Sequence, residues 1–184
     1  MRPGWGERHP DVATLLTRAT PIDGDDLVFG TTALRRSAHI EMEAPPDHLI
    51  LSVRCIVRVD DKFVVCTNVD GASHPWPGGR REAGETFADT ARREVHEETG
   101  WLIDVASMRH LGWLHYEHIA PMTQPEYPWP DFFQIVFVAS ATSRAGDDSW
   151  TDTEGYEASS RLLSFADTYA AIEGDALARV FLDR

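Results

Sequence analysis

Lysine is almost missing from this chain. One Lys stands beside sixteen Arg among 184 residues, a bias we read as coding composition. Basic charge as a whole is short: seventeen basic residues meet thirty acidic ones, for a net charge of −13. Nucleic-acid binders carry basic patches, and anionic membrane surfaces attract polybasic segments, so neither partner class is expected. Small phosphorylated ligands stay open, because a metal ion reconciles an acidic site with an anionic substrate. No apolar run approaches the ~18 residues of a membrane span. The opening Met1-Arg2-Pro3-Gly4-Trp5-Gly6-Glu7 has no apolar core of a secretory signal, so none is expected. Two cysteines do not make a disulfide framework, and a reducing cytoplasm is the expected compartment. What is present is an ordinary globular composition, 42% hydrophobic and 26% charged. The length suits one domain with its own core, burying about 70% of the unfolded surface.

Pro45-Pro46 divides the chain into an N-terminal extension, residues 1–46, and a strand-rich body, residues 47–184. In the extension, Asp11 is positioned to cap a short helix with Val12, Leu15 and Leu16 on one side, stopped by Pro21. Leu34, Ala38, Ile40 and Met42 share one parity and suggest a strand, interrupted by Arg36. These apolar positions need a surface to pack on, either the body or a second copy in a homodimer. The body opens with Leu51, Val53, Cys55, Val57 and Val59 alternating with Ser52, Arg54, Ile56 and Arg58, a strand pattern. Asp60-Asp61 turns it into a second strand, Lys62 to Thr67. A strict two-residue hairpin sets Cys55 opposite Cys66 as buried free thiols. Thr86 to Thr99 is expected to be a helix, with Thr86 and Asp89 as a capping box and Gly100 as its C-terminal stop. Further strands are expected at Arg109–Glu117, Phe132–Ser140 and Ser160–Ser164, then helical turns at Asp167–Glu173 and Asp175–Leu182. This order predicts an α/β fold with a mixed sheet between helices.

The chemistry concentrates in GRREAGETFADTARREVHEETGW, Gly79 to Trp101. Glu94, Glu97 and Glu98 stand at i, i+3 and i+4 and share one helix face. They crowd a helix C-terminus, where the macrodipole already disfavours negative charge. Each unfavourable contribution is a few tenths of a kcal/mol. A hard cation against that face removes the conflict, and Mg²⁺ or Mn²⁺ takes oxygen ligands while keeping positions for phosphate oxygens. Arg93 is placed to pair with a carboxylate such as Glu85. Three glutamates alone would describe a solvated acidic face, but the surrounding residues complete a longer pattern.

That pattern is G-x5-E-x7-R-E-U-x-E-E-x-G-U, with U apolar. Gly79, Glu85, Arg93, Glu94, Glu97, Glu98 and Gly100 fill its seven fixed positions. The protein resembles a Nudix hydrolase, and Pro77-Gly78-Gly79 resembles that family's approach to the box. Trp101 is bulkier than the usual aliphatic residue at the last position. The resemblance covers the body; it does not account for residues 1–46. It implies an α/β/α sandwich with a mixed sheet and a catalytic loop–helix–loop. It implies that Glu94, Glu97 and Glu98 bind Mg²⁺ or Mn²⁺, joined by a backbone carbonyl at Gly78 or Gly79. Glu85 and Arg93 would support them. The implied activity is hydrolysis of a phosphoanhydride in a nucleoside diphosphate linked to another group. The metal neutralises diphosphate charge and acidifies a bound water, and a carboxylate orients or deprotonates that water. Glu94 is the first candidate base; Glu154 and Glu157, ahead of the last strand, are the others.

Trp76, Arg80, Tyr127 and Trp129 are candidate substrate contacts: the aromatics for stacking on a flat group, Arg80 for phosphate. Each has an ordinary alternative in loop packing or solvation. His110, His115 and His118 carry no cysteine nearby, and His115 and His118 would point to opposite strand faces, so zinc is disfavoured there. Two other functions share such a scaffold: a non-catalytic nucleotide-binding or regulatory protein, and an isoprenoid diphosphate isomerase. The intact glutamates argue against the first. The second wants a cysteine at a hydrocarbon pocket, whereas Cys55 and Cys66 fall inside the predicted hairpin.

Overall fold

Strand β3, Ile50–Val59, is the spine of the molecule. Its odd positions Val53, Cys55 and Val57 are fully buried, and Ile56 on the other face is buried as well. A strand covered on both faces is central, and β3 pairs in parallel with β8, Asp131–Arg144. The computed structural model describes residues 7–120, 127–145, 150, 152 and 155–184. Around β3 and β8 lie β1 (Asp23–Phe29), β2 (Thr32–His39), β4 (Lys62–Asn68) and β5 (Ser73–His74). β6 (Trp101–Ile103), β7 (Arg109–His118) and β9 (Glu157–Ser164) complete the set. The strand order is β1-β2-β7-β8-β3-β4-β5, with β9 on β4 and β6 on β8. Among the described residues only β3 and β8 run parallel; the other pairs are antiparallel, so the sheet is mixed.

Among the described residues, four α-helices cover the sheet: α1 (Pro10–Arg18), α2 (Phe87–Thr99), α3 (Phe165–Ala171) and α4 (Ala176–Leu182). One core gathers Val12 and Leu15 of α1 and Ala91 and Val95 of α2 against Val53, Val57, Val64, Trp113, Phe133 and Ile135. The opposite core packs Leu177, Ala178 and Phe181 of α4 on Leu34, Ala38, Ile56, Leu114 and Val136. The α/β/α sandwich is thereby present. No helix among the described residues is long and apolar enough to cross a membrane.

Several local expectations change. His9, not Asp11, caps α1, and Pro10 stands in its first turn, where a missing N–H costs nothing. The strand expected through Met42 ends at His39, and Met42 is 76% exposed. Strand β1 leaves no mark in the sequence, because its positions are nearly all exposed and carry no apolar alternation. Residues before 47 are continuous with the sheet: β2 pairs with β7 from Leu34↔His118 to His39↔Trp113. Arg8 fastens their start, bonding Asp131 and Glu117 at 2.9 Å each.

The largest correction concerns the hairpin. β3 and β4 pair only at Arg58↔Phe63 and Val59↔Lys62. Beyond these pairs they diverge, and residues 73–81 fill the wedge. β5 lies on β4, with Cys66 opposite His74. The Val53 and Cys55 N–H groups donate to the carbonyls of Gly79 and Pro77. Cys55 and Cys66 are buried free thiols, but they are not ladder partners.

Candidate active site

The wedge delivers Pro77-Gly78-Gly79 to the C-terminal half of α2. The helix is set as its sequence implies: Thr86 and Asp89 form a complete capping box, and Gly100 ends it in the left-handed region at φ 73°. Thr90, Ala91, Val95 and Thr99 are buried beneath it. That fixes the rotation of the helix and turns Glu94, Glu97 and Glu98 toward the wedge.

Close backbone approach requires glycine at 78, while at 79 an added Cβ would displace the Glu94 carboxylate. A Cβ on Gly79 would lie 2.5 Å from both carboxylate oxygens of Glu94. A Cβ on Gly78, whose φ is 149°, would collide with the Val53 carbonyl. The Gly79 carbonyl, expected as a metal ligand, accepts the Val53 N–H at 3.0 Å and faces the sheet. Gly79 serves the site by being small. The Gly78 carbonyl instead accepts from the Arg54 guanidinium at 2.5 Å, so it faces a cation. The Gly78 N–H donates to Glu98 Oε2 at 2.9 Å.

Arg93 is the fixed cation of the site. Its Nε reaches Glu85 Oε1 at 2.7 Å, and its Nη1 reaches Glu94 Oε1 at 2.8 Å and Glu97 Oε2 at 2.9 Å. Its Nη2 donates to the Arg80 carbonyl, tying the loop to the helix. The Arg93 hydrogen bond holds Glu85 down to about 2, helped by the Glu82 N–H and the Thr90 hydroxyl. These carboxylates in turn raise the Arg93 pKa. Glu98 is different. Burial pushes its carboxyl up to about 8, against the pull of Arg54 and the Gly78 N–H, and Glu157 and Glu94 add to the rise. Glu94, which is buried, and Glu97 share Arg93, whereas the half-buried Glu98 has no salt bridge among the described residues. A divalent cation on this face would supply the charge that Glu98 lacks, and the all-oxygen donor set suits Mg²⁺ or Mn²⁺.

The remaining candidates separate. Trp76 is 6% exposed and packs against Phe181 at 6.0 Å, which places it in the core rather than at an open stacking surface. Tyr127 stacks on Phe132 at 4.9 Å, Phe132 stacks on Tyr116 at 4.8 Å, and the Arg80 guanidinium lies 5.4 Å from the Tyr127 ring centroid. Trp129 tilts against His118. Glu157 is buried and bonds His74 Nε2 at 2.8 Å. Glu154 lies outside the described residues. Of the three histidines, His110 bonds the Gly112 carbonyl, His115 bonds Asp131 at 2.7 Å, and His118 packs among rings.

Sequence reasoning missed Arg54 beside the box, and Tyr116, Gln134 and Arg36 on the same side of the sheet. Arg54 reaches Gly78, Tyr116 donates to Gln134 at 3.1 Å, and Arg36 lies close enough to Tyr116 to pull on its phenol. Arg36 and Arg54 sit on strands at even positions, the same parity as Tyr116 and Gln134. An arginine interrupting an apolar parity, as Arg36 does, was the available signal.

Fold and site together define a carboxylate-bearing loop–helix–loop seated on an α/β/α sandwich. The NUDIX domain family model matches residues 48–184, and the chain belongs to the Nudix family. Among solved structures, a variant of the Bacillus subtilis pyrophosphohydrolase BsRppH is similar at a TM-score of 0.59 and 17% identity, over 82% of this chain and 89% of its own. A NUDIX hydrolase from Nitrosomonas europaea is similar at a TM-score of 0.55 and 20% identity, over 72% of this chain and 84% of its own. These two likenesses are of fold. No significant relative is found among curated proteins.

Proposed function

We propose that this protein is a Mg²⁺- or Mn²⁺-dependent hydrolase of a phosphoanhydride bond, acting in the cytoplasm on a nucleoside diphosphate linked to another group. The observation that carries this is the face of α2 where Glu94, Glu97 and Glu98 converge on Arg93 and the Gly78 N–H, with the half-buried Glu98 carboxyl pushed up to about 8. A fold tolerates such a group where it does a task. The metal, when bound, supplies Lewis acidity and an acidified water. Glu94, Glu97 and Glu98 hold it, with Gly78 the better placed of the two candidate carbonyls. Arg93 and Glu85 fix the carboxylates in position. Glu94 is our first choice of base, with Glu157 second; each orients or accepts a proton from the attacking water.

Substrate recognition rests on cations and rings. Arg54 and Arg36 offer charge to a diphosphate. Tyr127, with Arg80 beside it, offers a face for a base or another flat group. Arg36 belongs to the first 46 residues, so that segment acts in specificity. The exposed Val28 and Phe29 of β1, 72% and 60% accessible, are where a homodimer contact would form. The Bacillus neighbour is called a pyrophosphohydrolase, and the same bond class is proposed here.

The test is direct. The full chain is incubated with nucleotide sugars, ADP-ribose, dinucleoside polyphosphates and nucleoside triphosphates, with Mg²⁺ and then with chelator. Metal-dependent cleavage between two phosphates is expected for at least one substrate class. Cleavage indifferent to chelator, or none with any substrate, would contradict the proposal.

A further inference from the structure

The divergence of β3 and β4 creates a second group of ligand-type side chains. Cys66 and His74 are cross-strand partners on β4 and β5, so their side chains lie on one face. On the other side of β4 the β9 register shifts between Thr67 and Asn68, and Glu157 becomes the partner of Asn68. That irregularity brings Glu157 to the same corner. One ligand atom from each of Cys66, His74 and Glu157 lies within 4.8 Å of the others. Cys66 is fully buried, while His74 and Glu157 keep 13% and 6% of their side chains accessible. His74 Nδ1 is buried with no hydrogen-bond partner. With its amide turned to donate, Asn68 reaches both Glu157 oxygens and His74 Nε2 at 3.0–3.2 Å.

We propose that Cys66, His74 and Glu157 form a second cation site, selective for Zn²⁺ over Mg²⁺, beside the glutamate face of α2. Thiolate, imidazole and carboxylate are a zinc donor set, whereas Mg²⁺ takes oxygen alone. Three protein ligands leave the fourth tetrahedral position to water or to a phosphate oxygen. Zinc bonds of about 2.0–2.3 Å set donors roughly 3.3–3.8 Å apart, so the trio closes by side-chain rotation of about one ångström. On binding, the Cys66 thiol loses its proton to solvent and His74 binds as neutral imidazole. The Glu157 hydrogen bond to His74 is exchanged for the metal. The Glu94–Glu97–Glu98 face uses a harder donor set and none of these three residues, and a Glu157 held here leaves Glu94 as the base of the proposed hydrolysis, so a failed cobalt test would not touch that reading.

Co²⁺ is the probe, added to the full chain in excess Mg²⁺. One equivalent is expected to bind with a sulfur-to-cobalt charge-transfer band, and Zn²⁺ is expected to abolish it. The Cys66→Ser chain should lack the band. The His74→Gln chain changes a partly accessible residue, so it keeps the test open if Cys66→Ser does not fold; it should bind Co²⁺ at least about tenfold more weakly. No band at saturating Co²⁺, a band retained in Cys66→Ser, or unchanged affinity in His74→Gln would overturn the proposal.

Discussion

The stretch from Gly79 to Gly100 and the stretch from Pro10 to His39 are built on opposite rules. The first crowds carboxylates at a helix C-terminus, buries Glu94 and strips much of the water from Glu98. The second is framework apart from Arg36: Val12, Leu15, Leu34 and Ala38 are buried, and surface charge pairs in the open, as Arg35 does with Asp26. Exposed pairs of that kind add little, about 0–1 kcal/mol each. The difference teaches where to look for chemistry. Electrostatic conflict that the fold retains, rather than burial itself, marks the site.

Removing the framework should have the largest effect. A chain starting at Asp47 loses α1, β1 and β2, opens the β7 edge and uncovers both cores. Burying each large apolar side chain contributes about 1.5–3 kcal/mol, and four or five of them rival the ~5–15 kcal/mol stability of a whole domain. Loss of a cooperative thermal transition, or aggregation, is expected. An unchanged Tm would make the N-terminal segment dispensable for folding.

The next effect separates rate from stability. Glu98→Gln should lower kcat/KM about 10–1000-fold, on the order of 1.4–4 kcal/mol of transition-state stabilisation. In urea without metal it should leave stability unchanged or raised, because the replaced carboxyl is half-buried and held protonated at neutral pH. A stability loss as large as the rate loss would mean that Glu98 is framework.

Arg93→Ala should show the reverse emphasis. It removes the hydrogen bonds to Glu85, Glu94 and Glu97 together. Stability should fall by about 1–3 kcal/mol, read by urea unfolding, and the rate should fall with it. Arg93→Lys should restore neither, since an ammonium cannot span the same three carboxylates. If Arg93→Ala lost substrate binding alone, Arg93 would be a phosphate contact.

The smallest effect is one of pH. From its ordinary 4.5 to about 8, Glu98 holds a proton in the folded chain that the unfolded chain has released. Stability of the metal-free protein should therefore fall as pH rises through that window. A cation must displace the proton, so the Mg²⁺-induced rise in Tm should grow with pH and level off above about 8. A metal-induced shift independent of pH would contradict the burial of Glu98.

The sequence was most legible where structure is local. The capping box, the apolar stripe of α2 and the Gly100 stop all follow from short spacings. So do the parities of β3 and of the Leu34–Ala38 strand. Non-local competition was not legible. Alternation along β3 and β4 cannot show that residues 77–81 displace β4 from the ladder, so the Cys55–Cys66 pairing failed. Trp76 reads equally as a stacking contact or as loop packing beside the box, and α4, far along the chain, covers it. Cys66, His74 and Glu157 meet only through that wedge and a register shift on β9.

The central claim is that the glutamate face of α2 is a metal site, and Mn²⁺ binding followed by electron paramagnetic resonance tests it most directly. The wild-type chain is predicted to take up Mn²⁺, with Mg²⁺ competing. Glu94→Gln and Glu98→Gln should each weaken uptake by at least about tenfold. Undiminished Mn²⁺ binding in both variants would contradict the account.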